Sequence, residues 1–345
     1  MQRIEITDRE AGRRLDTYLQ KALPGAGLSF LCRMLRKKNI TLNGRKADGT
    51  VRLSAGDTIE MFFSDETFDK LKSPDRSASL PDRPADDKDI YIRAYKQLHG
   101  IKVVYEDDDF IFIDKPAGIL SQTSEHGSIS VNEWLVGREI TEHNLDPSSL
   151  NTFKPAFANR LDRNTSGIMP GGKTLKALQT LNEAIRSGNV TKIYRCIAKG
   201  HPDDAFPVRN ESFLEVTGYL TKDREKNLVR VYRDPEEIRS GISEAKKIRT
   251  GFRLVEQLEE EMLLEVDLHT GKSHQIRAQL SALGHPIVGD PKYGSLPESG
   301  QGYEDNKKGR SQHAQLLHAY SLTFPEIKDY PEISGRTFKT EPENF

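Results

Sequence analysis

The densest run of side chains able to do chemistry is Asn159-Arg160-Leu161-Asp162-Arg163-Asn164-Thr165-Ser166-Gly167. One carboxylate, Asp162, stands between two guanidinium groups and just ahead of a Thr-Ser-Gly turn, and no hydrophobic repeat or helical spacing accounts for the grouping. Loops of this kind, held on a rigid scaffold, are where catalytic groups concentrate. A carboxylate with cationic neighbours is favoured in its charged form, and a turn of this composition holds it at the lip of a cleft. Taken alone, Arg-Leu-Asp-Arg reads most simply as a solvated surface loop whose charges pair weakly. The rest of the chain weighs against that.

A second group begins at Leu268-His269-Thr270-Gly271-Lys272-Ser273-His274-Gln275-Ile276-Arg277 and runs on through Gly284-His285-Pro286-Ile287-Val288-Gly289-Asp290 to Tyr293-Gly294. Thr270-Gly271 turns the chain out of a strand, Ser273 is the predicted cap of a helix, and Gly284 is its stop. His274 and Arg277 are three apart, so they share a helix face and can enter one cleft. A competing chemistry is phosphate binding, because Gly167-Ile168-Met169-Pro170-Gly171-Gly172-Lys173-Thr174 satisfies the P-loop pattern and a helix follows it. The residues ahead of it, Asn159 to Asn164, are too polar for the buried strand such a loop needs. The acidic strand Phe110 to Asp114 also precedes the loop instead of following it, so nucleotide hydrolysis is the weakest reading. No metal site is expected, on the reading that His and carboxylate residues do not recur at helical ligand spacing, and no cofactor is expected.

The elements that must position these groups follow from periodicity. Leu15, Tyr18, Leu19, Ala22 and Leu23 mark an amphipathic helix closed by Pro24-Gly25. A second helix from Ser29 to Lys38 places Arg33, Arg36 and Lys37 on one face, and short strands follow at 40–42 and 58–62, with a turn at Asn43-Gly44. Residues 1–63 hold 12 Lys and Arg against 7 Asp and Glu, an excess of 5 in a chain of net charge −1. The front end is therefore the basic one. Residues 64–100, rich in Pro, Asp and Ser, read as a linker that acts as a flexible tether. Beyond it, strands are predicted at 103–105 and 110–114, a helix at 130–138 around Trp134 and another at 175–187. Further strands fall at 191–198, 213–220, 228–232, 249–258 and 262–268. Cys32 and Cys196 are too far apart to suggest a disulfide framework. No run of about 18 apolar residues exists to cross a membrane. The N-terminus lacks an apolar signal-like segment, so a cytoplasmic protein is expected.

This ordered set of motifs resembles the RluA family of pseudouridine synthases, in the branch with an N-terminal S4 RNA-binding domain. Arg160-Leu161-Asp162 with Thr165-Ser166-Gly167, Thr191-Lys192-Ile193-Tyr194, His274-Gln275-Ile276-Arg277 through Asp290, and Asp114-Lys115-Pro116-Ala117-Gly118 carry the resemblance. It implies a mixed α/β (α+β) fold with a largely antiparallel central sheet flanked by helices, preceded by a small S4-like module. The expected division is 1–63, linker 64–100, catalytic domain 101–330 and tail 331–345. The implied reaction is the isomerisation of uridine in RNA, with large-subunit ribosomal RNA as the expected target. No cofactor or metal takes part, and the expected state is a monomer. Asp162 is the implied catalytic carboxylate and Arg277 its counter-charge. Tyr194 is expected to stack on the uracil or hydrogen-bond it, and to help remove its C5 proton. Ile276 and Leu280 would line the pocket, Thr165 and His274 would bind substrate, and Arg160 would hold the space left by a flipped nucleotide or its phosphate. Arg33, Arg36, Lys37, Lys38, Arg45 and Lys46 would contact RNA in the first module. The alternative from another class is an RNA-binding ribosome-assembly factor without catalysis. Two departures from the family pattern stand out: Asn159 occupies a common His position, and Met169-Pro170-Gly171-Gly172 replaces an apolar strand, which predicts a bulge or an edge strand there.

Overall fold

In the computed structural model of the chain, residues 2–72, 87–123, 128–223, 228–238, 245–294, 315–342 and 345 are described. The first unit contains β1 (Gln2–Glu5), α1 (Leu15–Ala22), α2 (Leu28–Arg36), β2 (Ile40–Leu42) and β3 (Thr58–Met61). Its three strands pair antiparallel in the order β1-β3-β2. Leu15, Tyr18 and Leu19 of α1 and Leu31 and Leu35 of α2 share a core with Ile40, Ile59 and Met61, as the amphipathic spacing requires. Asn43 and Gly44 both take positive φ, the conformation that a two-residue turn between right-twisted strand segments demands. The next helix, α3 (Asp65–Lys72), adds Phe68 to this core, so the unit extends past residue 63.

The second unit is built on one large sheet. Its elements are α4 (Asp87–Gln97), β4 (Lys102–Glu106), β5 (Phe110–Lys115), α5 (Val131–Glu142), β6 (Ala156–Phe157), β7 (Ser166–Gly172), α6 (Leu175–Arg186) and β8 (Thr191–Lys199). Then come β9 (Leu214–Asp223), β10 (Leu228–Tyr232), β11 (Lys246–Gln257), β12 (Glu261–Leu268), α7 (Gln275–Ala282), β13 (Leu317–Thr323) and β14 (Thr337–Lys339). The strand order is β10-β9-β11-β12-β8-β13-β7-β5-β4, with β14 on β13 and β6 on β7. Every described pairing is antiparallel except β13 with β7, which matches the expected mixed, largely antiparallel sheet. β5 is buried almost throughout because β7 and β4 flank it.

Four expectations are corrected. The linker assignment fails at 87–97, where α4 packs on α5 and buries Tyr91 and Ala94. Its helical spacing of apolar residues was masked by the Pro and Asp residues before it, while 73–86 lie outside the described residues. The tether is also not free, because the first unit docks on the second. Arg9 pairs with the fully buried Glu139 at 3.3 Å, Thr152 donates to Glu10 at 2.7 Å, and the Leu175 N–H donates to the Arg9 carbonyl. The tail assignment fails too, since Ile333 and Phe338 belong to the main core and β14 extends the sheet. Finally, residues 169–172 form a regular interior strand. The Pro170 carbonyl accepts from the Ala158 N–H, so the ring nitrogen on that same side faces the end of the two-residue β6, where no ladder N–H is required. The same strand disposes of the phosphate-loop pattern. Gly167 to Gly172 pair in register with β5, and Lys173 is tied to Glu106 at 3.0 Å and to the Asp107 carbonyl at 2.9 Å.

Candidate active site

Asp162 lies in the turn between β6 and β7, and both of its neighbours are fixed. The Ser121 hydroxyl donates to the Leu161 carbonyl at 2.6 Å and accepts from the Leu161 N–H at 3.0 Å, while the Leu161 side chain is buried in the core. On the other side, the Arg163 carbonyl accepts from the Gly118 N–H and from Lys115 Nζ. Lys115 is fully buried and also donates to the carbonyls of Pro116 and Ile119, at 2.9 and 3.0 Å. Burial pushes its ammonium down to about 7, against the pull of Asp162 and Asp114. The loop then enters β7 through Gly167, where a Cβ would stand 2.3 Å from the Ala319 carbonyl oxygen. Only glycine permits so close an approach to β13.

The opposite wall is α7. Arg277 Nη1 donates to Asp162 Oδ2 at 2.6 Å, and its Nε and Nη2 donate to Asp290 Oδ2 and Oδ1 at 2.7 and 2.8 Å. Burial works against the charge of both Arg277 and Asp290, but their contacts outweigh it, raising the guanidinium and holding the Asp290 carboxyl below the usual range. One arginine thus holds the fully buried Asp290 carboxylate on one edge and the partly exposed Asp162 carboxylate on the other. Asp162 Oδ1 has no hydrogen-bond partner among the described residues. Tyr194 of β8 is buried in the same core as Ile276 and Leu280. Burial and the Asp162 charge both push its hydroxyl upward, so it stays protonated.

The other expected residues divide. His274 faces Asp162, with Nε2 at 3.9 Å from Oδ2. Ile276 and Leu280 are buried in the main core. Thr165 is buried, its hydroxyl accepting from Gln315 and its N–H donating to the Asp162 carbonyl, so it shapes the loop. Arg160 is exposed and has no side-chain partner among the described residues. Arg33, Arg36, Lys37, Lys38, Arg45 and Lys46 are all exposed on the first unit. Ser273 does not cap α7. The cap position is His274, in the left-handed conformation with φ 56° and no side-chain cap. Gly284 does end it, with the N–H groups of Gly284 and His285 donating to the carbonyls of Ser281 and Leu280.

Sequence reasoning missed Asp290, Tyr293, Lys115 and Ser121 as parts of the site. Gly289-Asp290-Pro291-Lys292 is a turn signature that could have flagged the first, but the partners of a turn carboxylate are not written in its neighbours. The metal expectation rested on a faulty premise, since Glu139 and His143 are four apart on α5, at helical ligand spacing, and converge with Glu106 within 4.8 Å. These carboxylates are already met by Arg138 at 2.8 Å, Lys173 at 3.0 Å and Arg9 at 3.3 Å, which makes the group an ion-pair network joining the two units.

The family model for RNA pseudouridylate synthase matches residues 109–282. The chain is 31% identical over 319 residues to an uncharacterized RNA pseudouridine synthase of Mycoplasma genitalium, covering 92% of this chain and 87% of the relative. It is 28% identical over 299 residues to the ribosomal large subunit pseudouridine synthase C of Vibrio cholerae, covering 85% and 81%. Among solved structures, human RNA pseudouridylate synthase domain containing 4 superposes with a TM-score of 0.54 at 19% identity, covering 74% of this chain and 93% of that one, a likeness of fold.

Proposed function

The chain belongs to the RNA pseudouridylate synthase family, and from that premise we propose that it converts uridine to pseudouridine in large-subunit ribosomal RNA, with Asp162 as the catalytic carboxylate. The observation that carries the assignment is the asymmetry of that carboxylate: Oδ2 is anchored by Arg277, and Oδ1 has no hydrogen-bond partner among the described residues. The reaction cuts the C1′–N1 bond, turns the uracil and joins C1′ to C5, with the C5 proton leaving and N1 taking one up. No atom is gained or lost overall, so the chemistry calls for no co-substrate. A positioned carboxylate against the nucleoside is the one charged group it needs.

Around it, Tyr194 supplies a ring against the uracil and a hydroxyl donor, and Ile276 and Leu280 support the wall on which that ring lies. The target nucleotide must leave its stack to reach Asp162, and the exposed Arg160, two residues away, would hold the vacated position or its phosphate. The first unit, with its exposed Arg33, Arg36, Lys37, Lys38, Arg45 and Lys46, acts as the S4-like RNA anchor, since cationic side chains supply affinity by displacing counterions. The target RNA is supported by the ribosomal large subunit synthases among the relatives. Mapping pseudouridines in large-subunit ribosomal RNA from cells with and without the gene tests the proposal. At least one position should revert to uridine and be restored by the intact gene. An unchanged map would refute the target.

A further inference from the structure

The residues following α7 interlock with those at its start. Asp290 grips Arg277, and three residues on, the Tyr293 hydroxyl lies 3.0 Å from His274 Nδ1. That hydroxyl already accepts from the Val229 N–H at 3.0 Å. Tyr293 is buried, and His274 is the remaining hydrogen-bond partner of its hydroxyl among the described residues. If His274 donated from Nδ1, the phenolic proton would have no acceptor, at a cost of about 1–3 kcal/mol for an orphaned buried donor. Donation from the phenol to Nδ1 satisfies both groups. It leaves the imidazole proton on Nε2, the atom that faces Asp162.

We propose that His274 is a catalytic residue, held by Tyr293 in the tautomer that carries its proton on Nε2 and donating that N–H to the uracil as the C1′–N1 bond breaks. The inference rests on the isomerase reading above. When the bond breaks, its electron pair leaves with the uracil and the negative charge spreads from N1 onto O2 and O4, while the ribose is left electron-poor beside Asp162. When C5 later supplies the pair for the new bond to C1′, the charge on the ring and on the ribose is discharged together, and the C5 proton is then lost to water while N1 takes one up from water, so the product is neutral. A fixed N–H donor acts on charge that develops only during reaction. At 3.9 Å from Asp162 Oδ2, Nε2 is too distant to be used up on the carboxylate, and it makes no other hydrogen bond among the described residues.

A neutral donor is the form that helps most, since an imidazolium would compete with Arg277 for Asp162. The surroundings agree: burial, Arg277 and Lys292 disfavour the cation, Asp162 and Asp290 favour it, and the balance lowers the imidazole below its ordinary value. The left-handed backbone of His274 is a conformation of the kind that clusters where a side chain must be aimed.

The test combines nitrogen NMR on the full chain, labelled at histidine, with single-turnover tritium release. The RNA is deproteinised large-subunit ribosomal RNA carrying [5-³H]uridine, taken from cells lacking the gene. At pH 7 the His274 ring should show a protonated Nε2 and a bare Nδ1. His274→Phe should slow release about 10²-fold, the effect of losing one preorganised donor, with RNA affinity unchanged. His274→Gln, whose amide N–H reaches the same region, should stay within about tenfold of wild type by the same reasoning. Tyr293→Phe should add an acid limb to the pH profile, because Nδ1 is freed to protonate. An Nδ1–H tautomer or an imidazolium at pH 7 overturns the proposal, as does His274→Gln being as slow as His274→Phe. Undiminished activity in His274→Phe overturns this inference alone, whereas a wild type that releases no tritium overturns the proposed function and this inference with it.

Discussion

Replacing Asp290 by Asn tests the coupling between scaffold and site, because the substitution keeps size and removes charge. Arg277 and Asp290 exchange two charge-assisted hydrogen bonds, at 2.7 and 2.8 Å, and their side chains are 6% and 0% exposed. Asp290 Oδ1 also accepts from the N–H groups of Lys292 and Tyr293, and an Asn oxygen placed there would preserve that turn. Its NH₂ would then face the Arg277 Nε–H, donor against donor. Breaking one partner of a buried pair costs about 3–5 kcal/mol; with Asp162 still holding Nη1, the lower end, about 3 kcal/mol, is expected. Loss of the brace should also slow single-turnover tritium release about 10²-fold, the usual effect of misplacing a catalytic group by an ångström. The stability deficit has a pH signature. The folded Asp290 carboxyl titrates below its ordinary value, so its contribution is complete above about pH 4 and fades as the pH falls through the depressed pKa. Urea unfolding of the two proteins at pH 7 and at about pH 3, below the ordinary aspartate value, where the difference should shrink, with tritium release at pH 7, provides the measurement. Stability within about 0.5 kcal/mol of wild type, or an unaltered rate, would refute the claim that Asp290 positions Arg277.

Lys115 has a folded pKa of about 7, below the roughly 10.4 of a free lysine, so between those values the unfolded chain holds a proton that the folded chain lacks. Wild-type stability relative to Lys115→Met should therefore rise with pH from 7 to 9, by up to about 1.4 kcal/mol per unit; a flat difference in urea titrations contradicts this. Changing Arg33, Arg36 and Lys37 together to Gln should weaken RNA binding and reduce the slope of log affinity against log salt by about 2 to 3. An unchanged slope would remove the first unit as the RNA anchor. Arg9→Ala should lower stability by about 2 kcal/mol, because it strips a hydrogen bond from the fully buried Glu139; a change below about 0.5 kcal/mol would show that the docking contact contributes little.

How far the sequence reveals this molecule depends on how local each determinant is. Asp162, His274 and Arg277 sit in short polar runs that no periodicity explains, and their departure from pattern is what exposes them. The helices α1, α2 and α6 announce themselves through apolar spacing that their burial fulfils. Asp290 and Tyr293 were not identified as site residues because their importance lies in partners 13 and 19 residues earlier, reached only when the chain after α7 folds back. Lys115 ends β5, and nothing near it in sequence announces that the Arg163 carbonyl will come to meet its ammonium. Composition misled at α4, where a helical stripe follows a polar, proline-rich stretch. At Pro170 the error came from treating a strand as having one kind of edge, when its two sides end at different places.

The most direct test of the central claim is Asp162→Asn, assayed for tritium release on the same ribosomal RNA and for RNA affinity in parallel. The amide keeps the shape and can still accept from Arg277 Nη1, but carries no charge, so pseudouridine formation should fall below detection while affinity stays within about twofold, since phosphate contacts supply most of the affinity. Turnover by the Asn protein at the wild-type rate would contradict the assignment of Asp162.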